Sequence, residues 1–391
     1  MNRVFVTGAT GFIGCRFAEV ASQRKIPVVA LVRNWSRAAR LARLPSRMVQ
    51  GDVLDLESLR ANMKGCDVVF HCAVDNRVGG EPHRRSSALG AANVMQAALE
   101  TGVKQVVHLS SIAVYSYRPA ADARTEDAPY AYCGDAYCDG KIDAEKSVLR
   151  YCREYGIGVT VLRPTIVYGP FGSWTEDTVK AIRQRKMALI EGGAGVCNAL
   201  YVDNLVEAML LAAEEPRARG EVFHISDRSP VTWKEFINGH ARALGGSYLP
   251  LPEVTVGELA AARRESNHDT PSSLQQMAAI IRDPHFRQML RSIRPIEYCL
   301  QLGLGTVRAL LPDETRRAWR EKLLSEDRNG DSQSAGAKPI APLFSQGQID
   351  LYTTKVVFSV QKARQMLNYD PKIDFGRGME LTSAWIKWAR L

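Results

Sequence analysis

The 391-residue chain has no stretch of about 18 uninterrupted apolar residues, which removes a membrane-spanning helix from the readings. Its N-terminus runs into the strand-like Val4-Phe5-Val6 instead of a signal peptide, so a cytoplasmic location is expected. The eight cysteines include no C-x-x-C pair, and only Cys133 and Cys138 lie near each other. That excludes a zinc module of the paired type, leaves reduced packing thiols, and gives no reason to expect a metal centre. Aromatic residues are few, at 8%, and stud no basic run, so the net charge of +9 does not read as a nucleic-acid surface. Anionic small molecules or a membrane surface explain that charge as well.

What is present is an ordinary globular composition, 46% hydrophobic and 24% charged, in a chain long enough for two or three domain-sized units or one large unit with a lobe. Near its start, Val4 to Val6 leads into Gly8, Gly11 and Gly14 at spacing G-x-x-G-x-x-G. The first glycine permits a tight turn, the second lets a pyrophosphate approach the backbone, and the third lets the next helix, expected over 15–24, pack on the strand. Phosphates would then meet the unpaired N–H groups of a helix N-terminus, so the expected ligand is a dinucleotide.

A second strand over 26–32 places Arg33 beside the adenosine ribose. A carboxylate there would read a free 2′-hydroxyl, whereas an arginine suits a 2′-phosphate, with Arg37 as a second contact, so NADP(H) is expected in preference to NAD(H). A third strand, 47–50, runs into Gly51-Asp52-Val53, and the apolar run 68–70 ends at His71-Cys72-Ala73. Alternation continues through a helix over 91–101 and a strand over 105–109, which predicts a parallel, doubly wound sheet.

That last strand ends in Ser110-Ser111, and a helix opening at Tyr137 carries Lys141 one turn on. Residues at i and i+4 share a helix face. An ammonium beside a phenol favours the phenolate and so makes tyrosine a usable acid/base, while a serine at a strand end can hold a carbonyl oxygen against it.

At this point the sequence resembles the extended short-chain dehydrogenase/reductase superfamily, in its NAD(P)-dependent epimerase/dehydratase group. The resemblance rests on TGATGFIG (7–14), GDVLD (51–55), HCAV (71–74), LSSIAVY (109–115), YCDGK (137–141), LRPTIVYGP (162–170) and YVDNLVEA (201–208), and a weaker match returns over 351–379. It implies an α/β fold: a doubly wound parallel-sheet Rossmann domain over 1–170, revisited at about 198–228, and a smaller, mostly helical C-terminal substrate lobe over 171–197 and 229–391. It implies that Tyr137 is the acid/base, that Ser111 is its hydroxyl partner, and that Lys141 binds the nicotinamide ribose and lowers the tyrosine pKa. Gly8, Thr10, Gly11, Phe12, Ile13, Gly14, Arg33, Asp52, Val53 and Ala73 would hold the cofactor, with Tyr137 and Lys141. Backbone from Arg163 through Tyr168, including Pro164 and Ile166, would face the nicotinamide carboxamide, and the enzyme would be a homodimer.

Departures from the pattern narrow the chemistry. Dehydratases of the group carry Asp-Glu just after the hydroxyl residue, where this chain has Ile112 and Ala113, so hydride transfer with one phenolic proton is expected, without loss of water. Cys197 stands where nucleotide-sugar enzymes often place a diphosphate arginine, which leaves Arg183, Arg185 or Lys186 for that task or a substrate without a diphosphate, and Ser87 stands in place of an asparagine. The expected activity is that of a nucleotide-sugar 4-epimerase or ketoreductase on a small, anionic substrate. The alternatives are a ketone reductase of the hydroxysteroid type, on a non-nucleotide or lipid-linked substrate, and a noncatalytic nucleotide-binding scaffold. An insertion at about 250–348 is also expected, with two arginine-rich amphipathic helices over 284–324 and a mobile loop over 326–342. Those helices either cap the lobe or dock on an anionic membrane.

Overall fold

The computed structural model describes residues 1–74, 80–121, 123–245, 250–268 and 344–391. The helices and loop expected over 284–342 lie outside the described residues. The chain divides into two compact units, Met1–Val256 with Leu343–Leu391 and Gly257–Pro342, and apart from the helix Val256–His268, which runs into the second, all that follows concerns the first.

Its elements alternate as the sequence predicts: β1 (Val4–Thr7), α1 (Phe12–Gln23), β2 (Val28–Val32), β3 (Arg47–Gln50), α2 (Leu56–Met63), β4 (Val68–His71), α3 (Gly80–Glu100), β5 (Gln105–Leu109), α4 (Ala136–Tyr155) and β6 (Gly158–Pro164). After them come β7 (Ile166–Tyr168), α5 (Ser173–Arg183), β8 (Leu189–Ile190), β9 (Val196–Cys197), β10 (Ala199–Tyr201), α6 (Val202–Glu214), β11 (Val222–Ile225), β12 (Val231–Thr232), α7 (Trp233–Leu244) and β13 (Glu253–Val254). The C-terminal part supplies α9 (Gln346–Thr353), α10 (Gln361–Leu367) and α11 (Phe375–Ala389), and α8 (Val256–His268) precedes the undescribed segment.

Seven strands form one parallel sheet in the order β11-β6-β5-β4-β1-β2-β3. The order reverses between β1 and β4, and ligands of such sheets bind at the carboxyl ends of the strands at that point. Strands buried on both faces need continuous apolar runs, and β1, β2, β4, β5 and β6 are buried throughout. On one face Phe5, Val69, Val106 and Val159 share a core with Leu59 and Met63 of α2, Val94 and Met95 of α3, and Val148 of α4. On the other, Phe17 of α1 packs on Phe70 with ring centroids 4.1 Å apart.

Two expectations need correction. Helix α3 starts at Gly80 and not at residue 91, because Pro82 falls in a first turn, where its missing N–H costs nothing, and Arg84 and Arg85 pair with Asp143 and Glu81 at its polar face. The strand at 199–201 does not rejoin the large sheet. It pairs with β7 in a separate two-stranded sheet, and β11 closes the large sheet beside β6.

The C-terminal segment is laced into this frame. Val196 N–H donates to the Thr354 carbonyl (2.8 Å), Asn198 Nδ2 to the Val356 carbonyl (2.9 Å) and Trp233 Nε1 to the Leu351 carbonyl (3.1 Å). A Cβ on Gly195 would lie 1.9 Å from the Tyr352 carbonyl oxygen, so only glycine lets the two backbones approach.

Candidate active site

A cleft of about 1310 Å³ opens at the reversal point of the sheet. Its first end is built by the glycine turn. Gly8 has φ +68°, and a Cβ there would sit 2.8 Å from the Ala73 nitrogen, while one on Gly14 would sit 2.4 Å from the Gly8 carbonyl oxygen. The first-turn N–H groups of α1 lack intrahelical acceptors, Gly11 at the N-cap offers no side chain to satisfy them, and Gly11 to Gly14 line the cleft. This turn fits a pyrophosphate. Thr10, Ala73, Arg33, Arg37, Asp52 and Val53 line the same cleft, so the residues expected to hold the dinucleotide's phosphates and adenosine lie in one groove. Asn34, Gly51, Cys72 and Val74 join them. Pro164 and Ile166 do not line it; Pro164 pairs with Ile225 inside the sheet and Ile166 with Ala199.

Tyr137 lines the cleft from the first turn of α4, a turn fixed by Asp135, whose carboxylate accepts the Tyr137 and Cys138 N–H groups at 3.0 Å each. The Tyr137 ring is 37% exposed. Burial raises its pKa, and a hydrogen bond with the Ser111 side chain pulls it down. One turn on, Lys141 is 7% exposed; its ammonium donates to the Leu109 carbonyl (2.9 Å) and stands 5.9 Å from the centre of the Tyr137 ring. Burial pulls Lys141 down to about 8, against the thiol of Cys72 and the carboxylate of Glu145.

A further turn on, Glu145 is fully buried and holds Arg163 by an ion pair of 2.5 Å, together with the hydroxyls of Ser110 and Tyr130 (2.9 Å). Arg163 also donates to Tyr115 and to the Glu126 carbonyl (3.1 Å), and Tyr115 is hydrogen-bonded to His224 (2.8 Å). Tyr137, Lys141 and Glu145 therefore descend one face of α4 from the cleft to the core. Arg163, expected near the nicotinamide, anchors that face from beneath.

Of the other end of the cleft, the sequence singles out only Lys186. That end is lined by Trp174, Asp177 and Lys180 of α5, by Gln184, Lys186 and Met187 after it, by Phe344, Gln348 and Tyr352 in and beside α9, and by Tyr117. Lys186 is thus at the cleft, while Arg183 donates to the Arg390 carbonyl and neither it nor Arg185 lines the cleft. Cys197 is fully buried in β9, where burial pushes its thiol well above the ordinary range. Ser87 Oγ donates to the His83 carbonyl (3.0 Å) and stays within α3. Among the described residues no cluster of side chains could hold a metal ion.

Ser116, which carries the chain from the turn Ile112–Tyr115 to Tyr117, has φ +66° and ψ −179°. This region is populated essentially by glycine and costs other residues about 1–3 kcal/mol. Ser116→Gly is expected to stabilise the fold by about 1 kcal/mol in chemical denaturation, the serine's 3.3 Å bond from the Arg118 N–H being too long to offset the strain.

The family model for the NAD dependent epimerase/dehydratase family matches residues 4–226. The chain belongs to this family. As an extended short-chain dehydrogenase/reductase it is an NAD(P)-dependent enzyme. Among its relatives is a 4-hydroxy-2-methyl-3-oxo-4-farnesyl-3,4-dihydroquinoline-1-oxide ketoreductase of Stigmatella aurantiaca, 31% identical over 60% of this chain and 71% of that one. A 3 beta-hydroxysteroid dehydrogenase/Delta 5→4-isomerase of Mycobacterium tuberculosis is 29% identical over 63% of this chain and 70% of that protein. Among solved structures, a dTDP-glucose 4,6-dehydratase of Streptomyces venezuelae with NAD bound superposes with a TM-score of 0.66 at 19% identity, covering 99% of this chain and 98% of that one. This epimerase/dehydratase-family chain shares that fold, and among the described residues it has no helix long and apolar enough to cross a membrane.

Proposed function

We propose that this enzyme reduces a ketone to a secondary alcohol, with Tyr137 as the acid. The observation that carries the reading is Tyr137, one helical turn from the buried Lys141 and influenced by Ser111, on a cleft that has a dinucleotide turn at one end and aromatic side chains at the other. The bound nicotinamide supplies the hydride. Tyr137 Oη gives its proton to the carbonyl oxygen, Ser111 Oγ orients that oxygen, and Lys141 would hold the nicotinamide ribose. A phenol whose pKa is raised stays protonated near neutral pH, which suits proton donation. Ile112 and Ala113 supply no second acid/base pair for loss of water.

Nucleotide-sugar 4-epimerisation is the second reading, favoured by Lys180 and Lys186 at the far end of the cleft, where they suit a diphosphate. An epimerase consumes no net cofactor, whereas a reductase does. Purified enzyme is therefore to be incubated with reduced cofactor and a ketone panel, and separately with UDP-, GDP- and dTDP-sugars, following nicotinamide absorbance and product. Cofactor oxidation with ketones alone supports reduction; sugar conversion without oxidation refutes it.

The cofactor is proposed to be NADP(H), because the groove carries Arg33 and Arg37 after β2 and no carboxylate follows that strand directly. Arg33→Ala is expected to weaken NADP(H) binding on the order of tenfold and NAD(H) binding little, as a charge-assisted contact contributes about 1.5–3 kcal/mol. Calorimetric titration of both cofactors decides this; equal affinities in the unaltered enzyme would refute it.

A further inference from the structure

The strained link at Ser116 has an evident product, the placement of Tyr117. The Tyr117 hydroxyl donates to Asp135 (3.4 Å), the same carboxylate that caps the helix carrying Tyr137. Its ring rests on α9, where a Cβ on Gly347 would meet ring carbons Cδ2, Cε2 and Cγ at 2.8, 3.2 and 3.3 Å. Tyr117 is thereby tied both to the acid's own helix and to the C-terminal segment, and the half-buried ring still lines the cleft. Burial pushes this phenol well above its ordinary range and its hydroxyl is engaged by Asp135, so what it offers the cleft is its ring. Trp174, Met187 and Tyr352 line the same cleft, and the carbonyl to be reduced must sit at the neighbouring Tyr137.

We propose that Tyr117 is a specificity-determining residue that stacks on a flat, unsaturated ring carrying or adjoining the reacting carbonyl, and that the Ser116 backbone holds it in place. The proposal rests on the ketone-reduction reading and narrows it to a substrate class, ring ketones with a planar conjugated system and no nucleotide. Flat rings stack on a phenol face, whereas saturated rings of the same size offer only area. A stacked pair changes affinity by roughly twofold to tenfold.

The test uses two ketones of one bicyclic skeleton, 2-tetralone with a fused benzene ring and trans-2-decalone without it, plus ethyl acetoacetate as an open-chain ketone. The full-length enzyme with NADPH is expected to show a higher kcat/KM for 2-tetralone than for trans-2-decalone. Tyr117→Leu should lower the 2-tetralone value by roughly threefold to tenfold, chiefly through KM, with a much smaller change for trans-2-decalone. Tyr117→Phe should restore the preference, since the face and not the hydroxyl carries it. Ser116→Gly should erode the preference while raising thermal stability, a split that a purely structural role would not give. NADPH binding, followed by fluorescence, reports that each variant is folded.

An unchanged tetralone-to-decalone ratio in Tyr117→Leu, or turnover of ethyl acetoacetate alone, overturns the proposal and leaves ketone reduction standing. Oxidation of NADPH by none of the three ketones, with UDP-glucose converted instead, overturns the reduction reading and the proposal together.

Discussion

Tyr137→Phe is expected to lower ketone reduction by about 10²–10⁴-fold while leaving dinucleotide affinity nearly unchanged. The phenol moves a proton and stands at the mouth of the groove, whereas the glycine turn and α1 hold the phosphates. Phenylalanine keeps the ring on the first turn of α4, so the variant removes the hydroxyl and little else. Lys141→Ala should differ in kind, lowering both turnover and cofactor affinity. It also removes the donor on the buried Leu109 carbonyl, a loss of about 1–3 kcal/mol in stability. Single-turnover rates beside cofactor titrations separate the two variants. A Tyr137→Phe enzyme with more than about a tenth of the original rate would remove the tyrosine from its proposed role.

The second large effect is on the fold. Arg163→Met is expected to destabilise the protein by about 3–5 kcal/mol in chemical denaturation, because it leaves Glu145, which has no exposure, as a buried carboxylate without its cation. Glu145 would keep the Ser110 and Tyr130 hydroxyls as donors, which do not neutralise it. Adding Glu145→Gln to Arg163→Met should recover part of the loss, since the amide still accepts hydrogen bonds and carries no charge. A cost below about 1 kcal/mol for Arg163→Met would show that the pair does not anchor α4.

Local spacing made one half of the site readable. Gly8, Gly11 and Gly14 lie within a single turn, and Tyr137 and Lys141 within one helical turn, so the residues carrying the chemistry are neighbours in the sequence and their types limit what they can do. The alternation of strands with helices was legible for the same reason: each buried strand is a short apolar run whose meaning does not depend on distant partners. The remainder required the tertiary structure. Trp174 and Tyr352 share a cleft although nearly half the chain separates them, and the approach that brings them there, Gly195 against the Tyr352 carbonyl, leaves no local pattern. Arg163 belongs to a motif that suggested a cofactor contact, yet its partner is Glu145 on another element. The Lys141 ammonium was expected to act on the phenol; what no local pattern announced is that it also donates to the Leu109 carbonyl.

The interlaced C-terminal segment also sets an order of assembly on the ribosome. Every strand of the large sheet and the whole glycine turn precede Ser226, whereas Phe344, Gln348 and Tyr352 complete the cleft from residues more than a hundred positions later. At about 5–20 residues per second, the interval between the two events is about 6–25 s. During that time the nascent chain owns a dinucleotide groove but lacks one wall of the cleft's other end. A nicotinamide dinucleotide that binds only the folded sheet would then stabilise the intermediate by mass action until α9 arrives.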